Sequence, residues 1–165
     1  MTDEWVFSQC LYGCGSVDAA TYAREVLAPR HSRAEAEKWL SLRGVAERFI
    51  EECLAAVRWE DYFLVGFTST FRQHLASLCL AQRLKQRYPR LRIAFGGANC
   101  QREMGAALMR HFPFVDYVAD GDADHSFLDL VQRLLAGSRS ARRRRPLSPA
   151  CPGAMFAAPS PDRSA

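Results

Sequence analysis

Three strand–loop–helix units follow one another between Tyr62 and Gly137, and this succession constrains the chain's fold more than any other feature of its 165 residues. The run YFLVGF (Tyr62–Phe67) has the length and the aromatic and β-branched content of a buried strand. It gives way to the polar loop TSTF. The helical pattern FRQHLASLCLAQRLKQRY follows, with Leu75, Leu78, Ala81 and Leu84 on one side and Pro89 just past its end. LRIAF then leads through GGANC into REMGAALMRHF, and VDYVA leads through DGDAD into HSFLDLVQRLLAG, closed by Gly137. Strands that alternate with helices in this way predict an α/β fold, a parallel sheet flanked by helices and joined by right-handed crossovers.

The flanks have a different texture. Residues 1–57 read as a helical segment, in which Ala36, Leu40, Val45, Phe49, Cys53 and Leu54 recur at roughly helical spacing with charges between them. Residues 58–137 hold the α/β domain. Residues 138–165 carry five of the eight prolines and no periodicity, and read as a disordered tail. That tail also accounts for the basic balance. It has six Arg against one Asp, a net of +5, so the net +4 of the whole chain leaves the first 137 residues at −1. The Arg run Arg142–Arg145 has no interleaved aromatics, so nucleic acid is not the expected partner. No apolar run approaches the roughly 20 residues of a membrane span, and the opening MTDEWVF is not a signal peptide. No membrane partner is expected. The expected location is the cytoplasm, where the six cysteines remain reduced.

In an open parallel sheet the strands' carboxyl ends share one edge, and ligands bind in the crevice outside it. The loops Thr68–Thr70, Gly96–Cys100 and Gly121–Asp124 all follow strands and therefore all fall on that edge. They carry hydroxyls, an amide, glycines and carboxylates. The candidate cofactor-binding residues are accordingly Thr68, Ser69, Thr70, Gly96, Gly97, Ala98, Asn99, Gly121 and Asp122. Backbone N–H groups at the helix starts that follow would favour an anionic group. Each residue also has a plainer role open to it. The three hydroxyl residues suit helix capping, Gly96 and Gly97 suit a tight turn, and Asp122 and Asp124 suit the first turn of a helix. Neither a G-x-G-x-x-G nor a Walker pattern is present, which counts against dinucleotides and ATP.

No residue is read as catalytic and none as a metal ligand. Cys10 and Cys14 are spaced C-x-x-x-C, but Val17 stands where a third cysteine would complete C-x-x-x-C-x-x-C, so the pair reads as ordinary buried thiols. Cys79 reads as core. Cys100, in the glycine loop, is the one thiol with a ligand-facing reading. His31, His74, His111 and His125 form no metal-spaced cluster.

The string from about Trp59 to Leu135 resembles the cobalamin-binding domain of radical S-adenosylmethionine enzymes, closest to the maturases of ribosomally made peptides. The features that carry the resemblance are VGFTSTF at a strand end, FGGANC with its following EMG, and FPFVDYV ahead of a Gly-acid loop. The resemblance implies a flavodoxin-like (Rossmann-like) sheet whose carboxyl edge receives the nucleotide tail of cobalamin. Thr68, Ser69 and Thr70 would line the tail pocket, Gly96 and Gly97 would let the tail pass, and Gly121 with Asp122 would close the far side. The four-iron cluster and S-adenosylmethionine would belong to a separate barrel domain or subunit. That partner and a precursor peptide would complete a methyl-transfer enzyme.

The chain departs from this pattern in three ways. The first strands of the family's sheet are missing, Gly121-Asp122-Ala123 stands for Gly-Glu-Gly, and the likeness ends near Gly137. The expectation is therefore a fragment truncated at both ends. No D-x-H-x-x-G offers a lower cobalt ligand. The competing readings are a flavodoxin-like module for another nucleotide-bearing ligand, and a protein-interaction domain without cofactor.

Overall fold

The structure, a computed structural model, describes residues 2–13, 18–121, 123–137 and 155–157. Its contacts divide into two compact units. One comprises Met1–Tyr62 with Arg72–Pro89, the other Phe63–Phe71 with Arg90–Ala165.

The first unit is helical. It contains α1 (Thr2–Val6), α2 (Ser8–Tyr12), α3 (Ala19–Tyr22) continued by a π-helical turn over Ala23–Leu27, α4 (Arg33–Ala56) and α5 (His74–Arg87). The start of α4 is set by a capping box. Ser32 and Glu35 exchange side-chain-to-backbone hydrogen bonds, which satisfies two of the donors a helix start leaves open. Trp59 donates its indole N–H to the Leu54 carbonyl at 3.0 Å, near the other end of α4. Within α4 the buried residues are Ala46, Ile50 and Leu54, a strict i, i+4, i+8 stripe, whereas Val45 and Phe49 are 42% and 48% exposed. The apolar stripe expected from the sequence is displaced from the one that packing uses: it includes neither Ala46 nor Ile50 and shares only Leu54 with the buried face. Trp5 lies flat on Tyr22 at 3.9 Å, and the Arg43 guanidinium lies 4.1 Å from the Trp5 ring. The indole thus has an aromatic and a cation to pack on.

Glu4 makes the decisive polar contact of this unit. Its carboxylate accepts the backbone N–H groups of His74 and Leu75 at 2.9 and 2.7 Å. The N-cap of α5 is Gln73, whose side chain caps nothing, so a carboxylate 70 residues distant does the work. A negative charge on two free N–H groups at a helix start is favoured both by hydrogen bonding and by the helix dipole.

The second unit is the α/β unit. Strands β1 (Leu64–Thr68), β2 (Arg92–Gly96) and β3 (Tyr117–Ala119) form a parallel sheet in chain order, with α6 (Glu103–His111) and α7 (Asp124–Gly137) as its helices. The expected class therefore holds, a three-stranded parallel α/β sheet flanked by helices with a helical N-terminal segment. The first strand is shorter at its start than its apolar run, since Tyr62 and Phe63 precede it, and Thr68 is its last residue rather than the first of a loop. A fourth strand, β4 (Met155–Ala157), pairs antiparallel with β3. The sequence reading assigned no element there. A three-residue apolar run has no period to detect, and it becomes a strand because β3 offers an unpaired edge. The rest of 138–165 lies outside the described residues.

Adjacent residues of β3 face opposite sides of the sheet, and each side takes one helix. Tyr117 lies with Ala94, Leu130 of α7, Leu64 and Leu134. On the Val118 side α6 comes so close that an added Cβ at Gly105 would land on the Cys100 carbonyl oxygen and 3.0 Å from Val118 Cγ1. Only glycine fits at that crossing. Gly44, exposed in the middle of α4, would meet nothing within 4 Å. Calorimetry should separate the two. Gly105→Ala is expected to destabilise by about 1–3 kcal/mol through overpacking, whereas Gly44→Ala is expected to stabilise by about 0.5–1 kcal/mol through lost unfolded-state freedom.

Candidate functional site

The carboxyl edge of the sheet is formed within the second unit by the chain that leaves β1, β2 and β3. The backbone interlocks it. Ser69 N–H donates to the Gly96 carbonyl at 2.7 Å, which extends the β1–β2 ladder by one step. The Ser69 carbonyl accepts Asn99 N–H at 3.1 Å. The Asn99 amide then donates to Ser69 Oγ at 3.1 Å and to the Phe71 carbonyl at 3.2 Å. Asn99 is thus the clamp between the first two loops, and Ser69, fully buried, is what it holds.

This closure accounts for the glycine pair. Gly97 has φ +94, and an added Cβ would stand 2.6 Å from the Ser69 carbonyl oxygen. The close approach that demands glycine is therefore made by another stretch of the same chain. At Gly96 a Cβ would meet Ala119 at an ordinary 3.5 Å. Gly121 differs, with φ +83 and open space where a side chain would project. Its backbone is bare to solvent, as a ligand contact requires.

The structure sorts the other expected residues. Thr68 and Ala98 are exposed at the edge, and Thr70 is partly buried. The start of α5 lies at Gln73, and Glu4 accepts the first backbone N–H groups of that helix. Asp122 lies outside the described residues. Cys100 is fully buried, and burial pushes its thiol from 9.0 up to about 11, so it faces the interior rather than a ligand. Cys10 and Cys79 are buried thiols of the helical unit. Cys14 and Cys151 lie outside the described residues. Among the described residues no group of three His, Cys, Asp or Glu side chains is placed to hold a metal ion.

Three further residues, Arg102, Asp120 and Phe71, belong to the edge that the sequence did not single out. Arg102, at φ +52, donates its backbone N–H to the Asp120 carboxylate at 2.9 Å, at the amino end of α6. Asp120, one residue past β3, thereby ties the third strand end to the second loop. Phe71 has φ +45, and its side chain is 91% exposed. Such a conformation in a bulky residue costs about 1–3 kcal/mol and persists only where the surroundings enforce it. Neither Arg102 nor Phe71 had a signal in the sequence, because a positive φ outside glycine has no compositional mark.

The electrostatics of the edge also differ from expectation. The helix starts that follow β1 and β2 were the candidates for holding an anion. The start of α5 already carries Glu4, and the start of α6 carries Asp120. The chain's own carboxylates use these dipoles.

No known protein family, curated protein sequence or solved structure matches the chain.

Two expectations follow. Gly97→Ala should cost about 2–4 kcal/mol, from the collision with Ser69 and the positive φ together, and a urea midpoint measures it. The buried thiols give a pH dependence. Burial raises Cys79 from 9.0 to about 12 and Cys100 from 9.0 to about 11. In this range the unfolded chain loses the thiol protons first and so binds fewer of them. Stability is therefore full below pH 9, falls as pH rises from 9 toward 11, and falls less steeply in Cys100→Ala. Urea titrations across that range check the slope.

Proposed function

We propose that the carboxyl edge of the α/β unit binds cobalamin by the nucleotide tail, as a cofactor-holding domain of a radical S-adenosylmethionine peptide maturase. The observation that carries the reading is the convergence of three strand-following segments, Thr68–Thr70, Gly96–Asn99 and Asp120–Gly121, on one edge of a parallel sheet. The hydrogen bonds of Ser69, Asn99 and Asp120 tie them to one another. A preformed polar rim of this kind is what an open α/β sheet offers a ligand.

The residues present fit the neutral part of the tail. The Thr68 hydroxyl, the Ala98 methyl and the backbone of Gly121 are exposed there, beside the Phe71 ring. They suit a ribose and a planar base, and within this unit the start of α6 is already taken by Asp120. When bound, cobalamin supplies methyl transfer through its cobalt. This chain's residues bind and orient it, and the radical chemistry belongs to a partner domain or subunit that carries the iron–sulfur cluster and S-adenosylmethionine and acts on a precursor peptide.

A cytoplasmic setting suits the four described cysteines, all free thiols. No described helix is long and apolar enough to cross a membrane.

A second reading rests on the same rim. A flavodoxin-like module for a different ring-bearing nucleotide shares most of the argument.

Titration of the purified chain with hydroxocobalamin, followed by absorbance and by melting temperature, tests the proposal. A saturable one-to-one shift, weakened at least tenfold in Gly121→Asn, is expected. Asn tolerates positive φ, so that variant fills the open space and leaves the fold in place. A cooperatively folded chain that leaves the spectrum unchanged would remove cobalamin and favour the second reading.

A further inference from the structure

Phe71 is the residue of this edge that internal packing does not explain. Its backbone is strained at φ +45 and its phenyl ring is 91% exposed, so the folded chain gains little burial from the side chain that it holds in a disfavoured conformation. A glycine or asparagine would meet the same turn without strain. The surroundings nevertheless fix the residue, because Asn99 donates from one amide group to both Ser69 Oγ and the Phe71 carbonyl. Strain of this sort collects where a side chain must be presented.

We propose that Phe71 is a stacking platform for the planar ring of the ligand bound at the carboxyl edge. The inference rests on the cobalamin reading above and assigns the platform to the heteroaromatic base of the nucleotide tail. The composition of the edge favours a single flat ring over a protein partner. Among the described residues of its three loops, Phe71 is the only large apolar side chain, and Thr68, Ser69, Thr70 and Asn99 supply hydroxyls and an amide, with the exposed Arg72 next in sequence. The core of a protein interface gathers several apolar anchors in a desolvated patch. One ring beside hydrogen-bonding groups matches a base, which has an apolar face and polar edges, and stacking on an aromatic side chain is tolerant of the ring's identity.

The test uses the full chain with two probes, hydroxocobalamin and cobinamide, which lacks the nucleotide tail. Phe71→Ala is expected to bind hydroxocobalamin about tenfold or more weakly, while Phe71→Trp binds it as tightly as the native chain. Any binding of cobinamide is expected to be the same in the native chain and in Phe71→Ala. Without ligand, Phe71→Gly is expected to melt several degrees higher than the native chain as the strain is relieved. Native affinity for hydroxocobalamin in a folded Phe71→Ala overturns the platform and leaves the cobalamin reading standing. An equal loss of cobinamide in Phe71→Ala also overturns it, because the ring would then serve the corrin or the fold. Failure of the native chain to bind either probe overturns the cobalamin reading, and the platform for its base falls with it. Self-association that is lost in Phe71→Ala would assign the ring to a protein contact instead.

Discussion

The approach of the Ser69 backbone to Gly97 is the constraint on which the candidate site depends. The two loops touch where no side chain fits, and this lets Ser69 N–H reach Gly96, lets Asn99 N–H reach Ser69, and brings the Asn99 amide onto Ser69 and Phe71. Each bond is worth only about 1 kcal/mol net. Together they convert two independent strand ends into one rim. Asp120 extends the same logic to the third strand through the Arg102 N–H.

The arrangement changes the meaning of the glycines. A glycine pair at a strand end signals that something comes close to the backbone, and the sequence alone does not say whether that is a ligand or the chain itself. At Gly97 it is the chain. At Gly121 the space is open. Cys100 is resolved in the same way. It is next to the glycines in sequence, yet it turns inward beneath α6.

Charge shows the same division. A carboxylate from α1 seated on the start of α5 is a contact across 70 residues, and no local pattern announces it. The rim carries hydroxyls and an amide beside the charged Arg102 and Asp120, with one exposed phenyl ring.

The class of the fold was determined by the sequence, because alternation of strand and helix texture is a local property repeated three times and needs no knowledge of distant contacts. The placement of the strand-following loops on one edge and the burial of Leu78, Ala81 and Leu84 follow from that same periodicity, whereas the order of the strands comes from their pairing. Contacts between residues distant in the chain were decided only by the tertiary structure. They include the choice of Ala46 and Ile50 over Val45 and Phe49 for the buried face of α4, the strand at Met155–Ala157, the Glu4 cap, and the strained backbone of Phe71 and Arg102. Periodicity records which face of an element is apolar. It does not record which neighbour arrives there, how closely it approaches, or which backbone must bend to admit it.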